Sequence, residues 1–156
     1  MNKIEISNNK TLKLTNVLTC NVDIEGEENI LTVVSKMDNY IKSKGALPIG
    51  PLIQKNEFSI DHEGKITFSI FLMRQANNFI HSVAEPYTIN SVVKIQNCMY
   101  AHYLGPEEKI QLAYDKLNVT AFEEDIELSN ENYTIFVDQH EDNIVADIFV
   151  EKKTDE

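Results

Sequence analysis

The chain has 156 residues, 42% of them hydrophobic and 25% charged, with 25 acidic against 14 basic side chains and a formal net charge of −11. That length bounds one domain of ordinary globular composition. The acidity excludes a nucleic-acid partner, because a phosphate backbone calls for clustered Lys and Arg, and Arg74 is the single arginine.

Taken in chain order, Met1–Lys10 reads as a frayed end, and its start lacks the apolar core of a secretion signal. Thr11–Ile24 is β-branched and largely alternating, which predicts a strand. Ile30, Val33, Val34, Met37, Tyr40 and Ile41 then recur at i, i+3, i+4, i+7, the stripe of an amphipathic helix. Glu27 and Glu28 suit its positive end, Lys42 and Lys44 its negative end, and Gly45 a left-handed stop. Pro48, Gly50 and Pro51 prevent continuation. Leu52–Ile60 and Lys65–Arg74 form a predicted hairpin around Asp61-His62-Glu63-Gly64. Gln75–Asn90, with Asn77-Asn78 and Pro86, reads as a connection.

Val92–Tyr103 is the next predicted strand. Gly105-Pro106-Glu107-Glu108 opens a helix with proline at its favoured first position, and Ile110, Ala113, Tyr114 and Leu117 are its apolar stripe. Val119–Ser129 fits either a helical extension or an irregular loop. Tyr133–Gln139 and Ile144–Lys152 make a closing hairpin, and Lys153–Glu156 a second frayed end. No apolar run approaches the roughly 18 residues of a membrane helix. Two distant cysteines make no disulfide framework. The expectation is a cytoplasmic protein without a membrane partner.

The two hairpins repeat one another. Phe58, His62, Glu63, Ile66, Ile70 and Phe71 recur at a constant offset of 78 as Phe136, His140, Glu141, Ile144, Ile148 and Phe149, and Cys20 and Cys98 share that offset. Composition alone gives roughly one identity by chance over such a window. A repeat read early constrains the architecture. The predicted fold class is α+β: tandem duplicated β-α-β-β units forming a curved antiparallel sheet with helices on one face. One domain spans 1–156, with repeat one at about 11–74, a connection at 75–90 and repeat two at about 91–153. Alternation places Ile66, Phe68, Ile70 and Leu72, like Ile144, Ala146, Ile148 and Val150, against the helices. The opposite face carries Phe71 and Met73, and Val145, Asp147, Phe149 and Glu151.

The run Met99-Tyr100-Ala101-His102-Tyr103-Leu104-Gly105-Pro106 resembles, with one residue fewer between Ala and Gly, the Tyr-Ala-x-x-x-x-Gly-Pro stretch that leads into the second helix of bacterial gyrase-inhibitor-like domains, which also serve as effector-binding domains of transcription regulators. Ala113-Tyr114, Tyr133-Thr134-Ile135-Phe136, Ala146-Asp147-Ile148-Phe149-Val150 and Pro48-Ile49-Gly50-Pro51 are similar to further motifs of that family. The resemblance implies a duplicated fold whose concave sheet face binds small organic, often cationic, molecules. Three positions depart from the pattern: Thr134 replaces the family's pocket glutamate, Glu151 a proline and Cys98 a glycine. Without that glutamate the anionic anchor is missing, and Asp147 has the parity to stand in for it. The chain is also similar to short uncharacterised proteins of Gram-positive bacteria, some encoded beside secreted polymorphic toxins.

Other constellations carry little chemistry. No Gly-x-Ser-x-Gly elbow accompanies the Ser, His and Asp residues. Cys98 and His102 at i, i+4 on a strand lie ~13 Å apart, too far for a nucleophile–base pair. His62 and His140 belong to turns, and Asp138-Gln139-His140-Glu141-Asp142 lacks the glycine and terminal glutamate of a calcium loop. No metal or cofactor is expected. The candidate ligand-binding residues are Phe71, Tyr100, His102, Thr134, Phe136, Asp147 and Phe149, with Phe71 and Phe149 as an aromatic clamp for a flat ligand. Packing of the same residues in the core is the competing interpretation.

The expected function is a stand-alone, non-enzymatic domain that binds a small organic, aromatic molecule between two pseudo-symmetric halves. The alternative is a protein-interaction adaptor or toxin-locus accessory whose acidic surface engages a basic protein partner. Hydrolase-like activity in the cleft ranks third, since relatives of that kind use a pocket acid and a tryptophan, and this chain has no Trp.

Overall fold

Long strands dominate the chain. The computed structural model describes residues 3–22 and 29–153. Its elements are β1 (Lys3–Val22), α1 (Ile30–Ser43), β2 (Pro48–Ile60), β3 (Ile66–Ala76), β4 (Tyr87–Pro106), a 3-10 turn (Glu107–Lys109), α2 (Gln111–Glu123), β5 (Leu128–His140) and β6 (Asn143–Lys152). Among the described residues no helix is long and apolar enough to cross a membrane. The chain divides into two compact units, Lys13–Lys94 and Met1–Leu12 with Ile95–Glu156.

In the Lys13–Lys94 unit, β3 pairs antiparallel with β1, from Val17↔Gln75 to Val22↔Ile70, and with β2, from Pro48↔Ala76 to Ile60↔Ile66. Helix α1 lays Val33, Met37 and Ile41 on Leu18, Cys20, Val22 and Leu72. Each such aliphatic side chain contributes about 1.5–3 kcal/mol by leaving water. The helix starts where the Asn29 side chain accepts from the Leu31 amide at 2.8 Å. It stops at Gly45, whose φ of +82° lets Ala46 N–H close onto Ile41 O at 3.2 Å. The expected Asp61-His62-Glu63-Gly64 turn forms, with Asp61 Oδ1 accepting from the Glu63 and Lys65 amides. Asn77 and Leu47 bond to each other through backbone and side chain, and Ile80 enters the core, so the segment after β3 is tied to this unit.

In the other unit, β6 pairs with β4 from Cys98↔Glu151 to Pro106↔Asn143, and with β5 from Leu128↔Lys152 to His140↔Asn143. Helix α2 lays Ala113, Leu117 and Ala121 against Met99, Ala101, Tyr103, Ile144, Ala146, Ile148 and Val150. Ile4 and Ile6 of β1 pack against this cluster. The helix ends at Asp125, which takes φ +56° while Ile126 N–H reaches Ala121 O at 2.8 Å.

The expected fold class needs correction. Strand makes up 60% and helix 21% of the described residues, in six strands and two α-helices, so the chain is a helix-poor antiparallel sheet protein rather than α+β with tandem β-α-β-β units. The reason is strand length. β1 and β4 each run 20 residues and give residues to both units. They take in Lys3–Lys10, expected to fray, and Tyr87–Asn90, expected in the connection. Cys20 and Cys98 are not equivalent: Cys20 lies opposite Leu72 and Cys98 opposite Glu151, one residue out of step with the 78-residue offset. Side chains alternate with period two, so this slip puts Cys20 on the α1 side and Cys98 on the side away from α2. Asn97, just before Cys98, takes φ +56°.

Smaller expectations also shift. Pro106 precedes the 3-10 turn, and α2 begins five residues later, at Gln111. Val119–Glu123 is helical and Leu128–Ser129 is strand. Ile66 and Phe68, expected against a helix, are exposed. Asp23, Ile24, Glu27, Glu28 and residues 154–156 lie outside the described residues.

Candidate functional site

The pairing of β4, β5 and β6 puts two rows of side chains on the face away from α2. Tyr133, Phe149 and Tyr100 stand side by side across β5, β6 and β4, and the next row is Ile135, Asp147 and His102. Their neighbours Ile148, Ala101 and Met99 fill the α2 core, so alternation turns both rows the other way.

Asp147 organises the polar part. Its Oδ1 accepts from the Tyr100 hydroxyl at 2.6 Å and lies 2.7 Å from His102 Nδ1, and the hydroxyl is 3.3 Å from that same nitrogen. A carboxylate oxygen accepts, so Nδ1 carries a proton, and in the neutral imidazole Nε2 holds the lone pair. The His102 side chain is 35% exposed and that of Asp147 24%. Burial raises the Tyr100 pKa, as do its bond to Asp147 and the charges of Asp147 and Glu5, so the phenol stays protonated.

The Tyr100 and Phe149 rings lie 5.1 Å apart at 51°, an arrangement that favours an inclined aromatic pair. Lys10 holds its ammonium 5.9 Å from the Tyr100 ring centroid. Ile4 and Ile6 pack on the α2 side, and Lys10 shares their parity, so the strand changes phase between them. Asn9 does this at φ +59°.

Cys98 is next on this face and fully buried. Its thiol pKa is pushed up to about 11, first by burial and then by Glu151. The thiol is therefore inert rather than a nucleophile.

Of the residues singled out from sequence, Tyr100, His102, Asp147 and Phe149 come together here. Thr134 does not. It pairs with Ile148, is fully buried, and shares a short hydrogen bond with the Tyr114 hydroxyl of α2. Burial raises the Tyr114 pKa. Phe136 also packs on the α2 core. Phe71 belongs to the Lys13–Lys94 unit, opposite Asn21 and Lys55, with the Lys55 ammonium 5.5 Å from its ring. Sequence reasoning missed Tyr133 and Lys10. The signal for Tyr133 was its alternation with Thr134, read in the wrong phase. For Lys10 it was the asparagine before it.

No protein-family model matches the chain, and no curated protein matches it either. Solved structures do. EcmrR, in an EcmrR–DNA complex within EcmrR-RPo, matches over 99% of this chain and 58% of its own, with TM-score 0.68 and 12% identity. The chain thus spans little more than half of that protein. A hydrolase encoded by lin2189 from Listeria innocua matches over 97% and 92%, with TM-score 0.55 and 10% identity. SAV2435 bound to tetraphenylphosphonium matches over 97% and 94%, at TM-score 0.49 and 9% identity. At these identities the first two matches establish a shared fold and nothing more.

Proposed function

We propose that the protein is a non-enzymatic domain that binds a small, flat organic molecule on the face of β4, β5 and β6 away from α2. One observation carries this: the half-buried Tyr100–Phe149 pair, flanked by the buried Tyr133, borders the Asp147-centred row, so an apolar platform and an oriented polar edge share one surface. Ligand sites combine these two elements, apolar area for affinity and a few fixed polar groups for orientation. The resemblance of Tyr100-Ala101 and Ala146–Val150 to effector-binding domains supports a role in sensing, and the fold shared with EcmrR is compatible with it. The site is formed by one unit and does not call on Phe71, Thr134 or Phe136.

Indole is the first probe, because the chain has no Trp and its fluorescence meets no tryptophan background. The wild type binds it, and Phe149→Ala weakens binding by at least about tenfold, as expected when a large contact ring is removed. Wild-type protein that leaves indole fluorescence unchanged up to millimolar concentration sinks this reading. The protein-interaction role of an acidic accessory protein then takes its place.

A further inference from the structure

We infer that the ligand is an aromatic carrying an in-plane N–H or O–H donor, and that His102 Nε2 is the acceptor that selects it. This rests on the binding role proposed above and names the ligand class for the same surface. Three observations lead to it. Asp147 Oδ1 already accepts from Tyr100 at 2.6 Å and faces His102 Nδ1 at 2.7 Å, so that oxygen is engaged within the protein. In the neutral imidazole the same contact fixes the proton on Nδ1 and leaves the lone pair on Nε2. Among the described residues Nε2 has no hydrogen-bond partner, and the ring is 35% exposed.

The ligand can lie along the Tyr100–Phe149 pair and direct its N–H or O–H at His102 Nε2. A ligand without a donor would leave that acceptor facing an apolar group, which costs free energy on desolvation.

Indole and 1-methylindole have nearly the same shape and differ in the donor. Both are titrated at pH 8 into the wild type and into His102→Asn, whose amide can still donate to Asp147 but has no atom at the Nε2 position. The wild type is expected to prefer indole by about fivefold, the worth of one net hydrogen bond. In His102→Asn the ratio falls to about one. Equal affinity of the wild type for both probes overturns this inference and leaves the binding role standing. A preference for indole that survives in His102→Asn also overturns it, because the donor is then met elsewhere. Binding of neither probe by the wild type overturns the inference and the binding role together.

Discussion

The end of the β2–β3 hairpin and the end of the β5–β6 hairpin carry the same residues in the same order and meet different surroundings. Phe58 and Ile66 align with Phe136 and Ile144, yet Ile66 is 66% exposed and Ile144 4%. At the β5–β6 end, Ile110, just ahead of α2, packs against the cluster containing Ile144 and Phe136. At the β2–β3 end, Phe58 and Phe68 stack on each other at 5.0 Å and remain exposed beside Ile60 and Ile66. Alternation decides which way a side chain points. What covers it is decided by a different part of the chain, here the few residues before a helix.

The largest effect follows from that contrast. Ile144→Ala should destabilise by about 2–5 kcal/mol, the cost of truncating a buried aliphatic side chain. Ile66→Ala, its aligned counterpart, should cost less than about 0.5 kcal/mol. Urea denaturation of the two variants measures both. Equal losses would mean that the β2–β3 end is covered in solution, and the comparison would fail.

The cysteines give the second test. Cys98 has its pKa raised to about 11 from 9.0. A group with a raised folded pKa contributes stability that is complete below the unfolded value and is lost as pH rises through the folded value. Stability should therefore fall between about pH 9 and pH 11, with a ceiling of roughly 2–3 kcal/mol from this thiol. Tyr100, Tyr103 and Tyr114 are raised as well and act in the same direction. The informative quantity is thus the difference between wild type and Cys98→Ala, followed by denaturation at pH 8.5 and 10.5. A fall of the same size in both places the thiol in contact with water.

Much of the candidate site was legible because β6 alternates cleanly. Ile144, Ala146 and Ile148 turn toward α2, while Asp147 and Phe149 turn away, as the residue order predicts. Tyr100 and His102 follow from the same rule on β4. It fails where a strand changes phase. β5 shifts register between Leu128 and Asn132 and again between Phe136 and Asp138, which leaves Thr134 and Phe136 on the α2 side. Asn9, Asn16 and Asn97 take positive φ within long strands. Asparagine tolerates that conformation better than most residues, so three asparagines in otherwise alternating stretches were a usable but unused sign of a phase change. The 20-residue length of β1 and β4 could not be read locally, because their ends look polar and are held by pairing with distant segments.

The smallest expected effect lies at the helix C-termini, where both helices close with the same backbone bond around different residues. Ala46 N–H reaches Ile41 O past Gly45, and Ile126 N–H reaches Ala121 O past Asp125. Both turning residues have positive φ, +82° and +56°. A Cβ built on Gly45 meets nothing within 4 Å, so Gly45→Ala introduces backbone strain without a clash and should cost about 1 kcal/mol. Asp125 already bears that strain, and Asp125→Gly relieves it. The gain should be smaller, about 0.5 kcal/mol, because a new glycine also widens the unfolded ensemble. Thermal denaturation of the two variants checks the opposite signs. If Asp125→Gly destabilises instead, the aspartate side chain holds the α2 terminus through an interaction that Gly45 has no means to make, and the two helix ends are alike in backbone only.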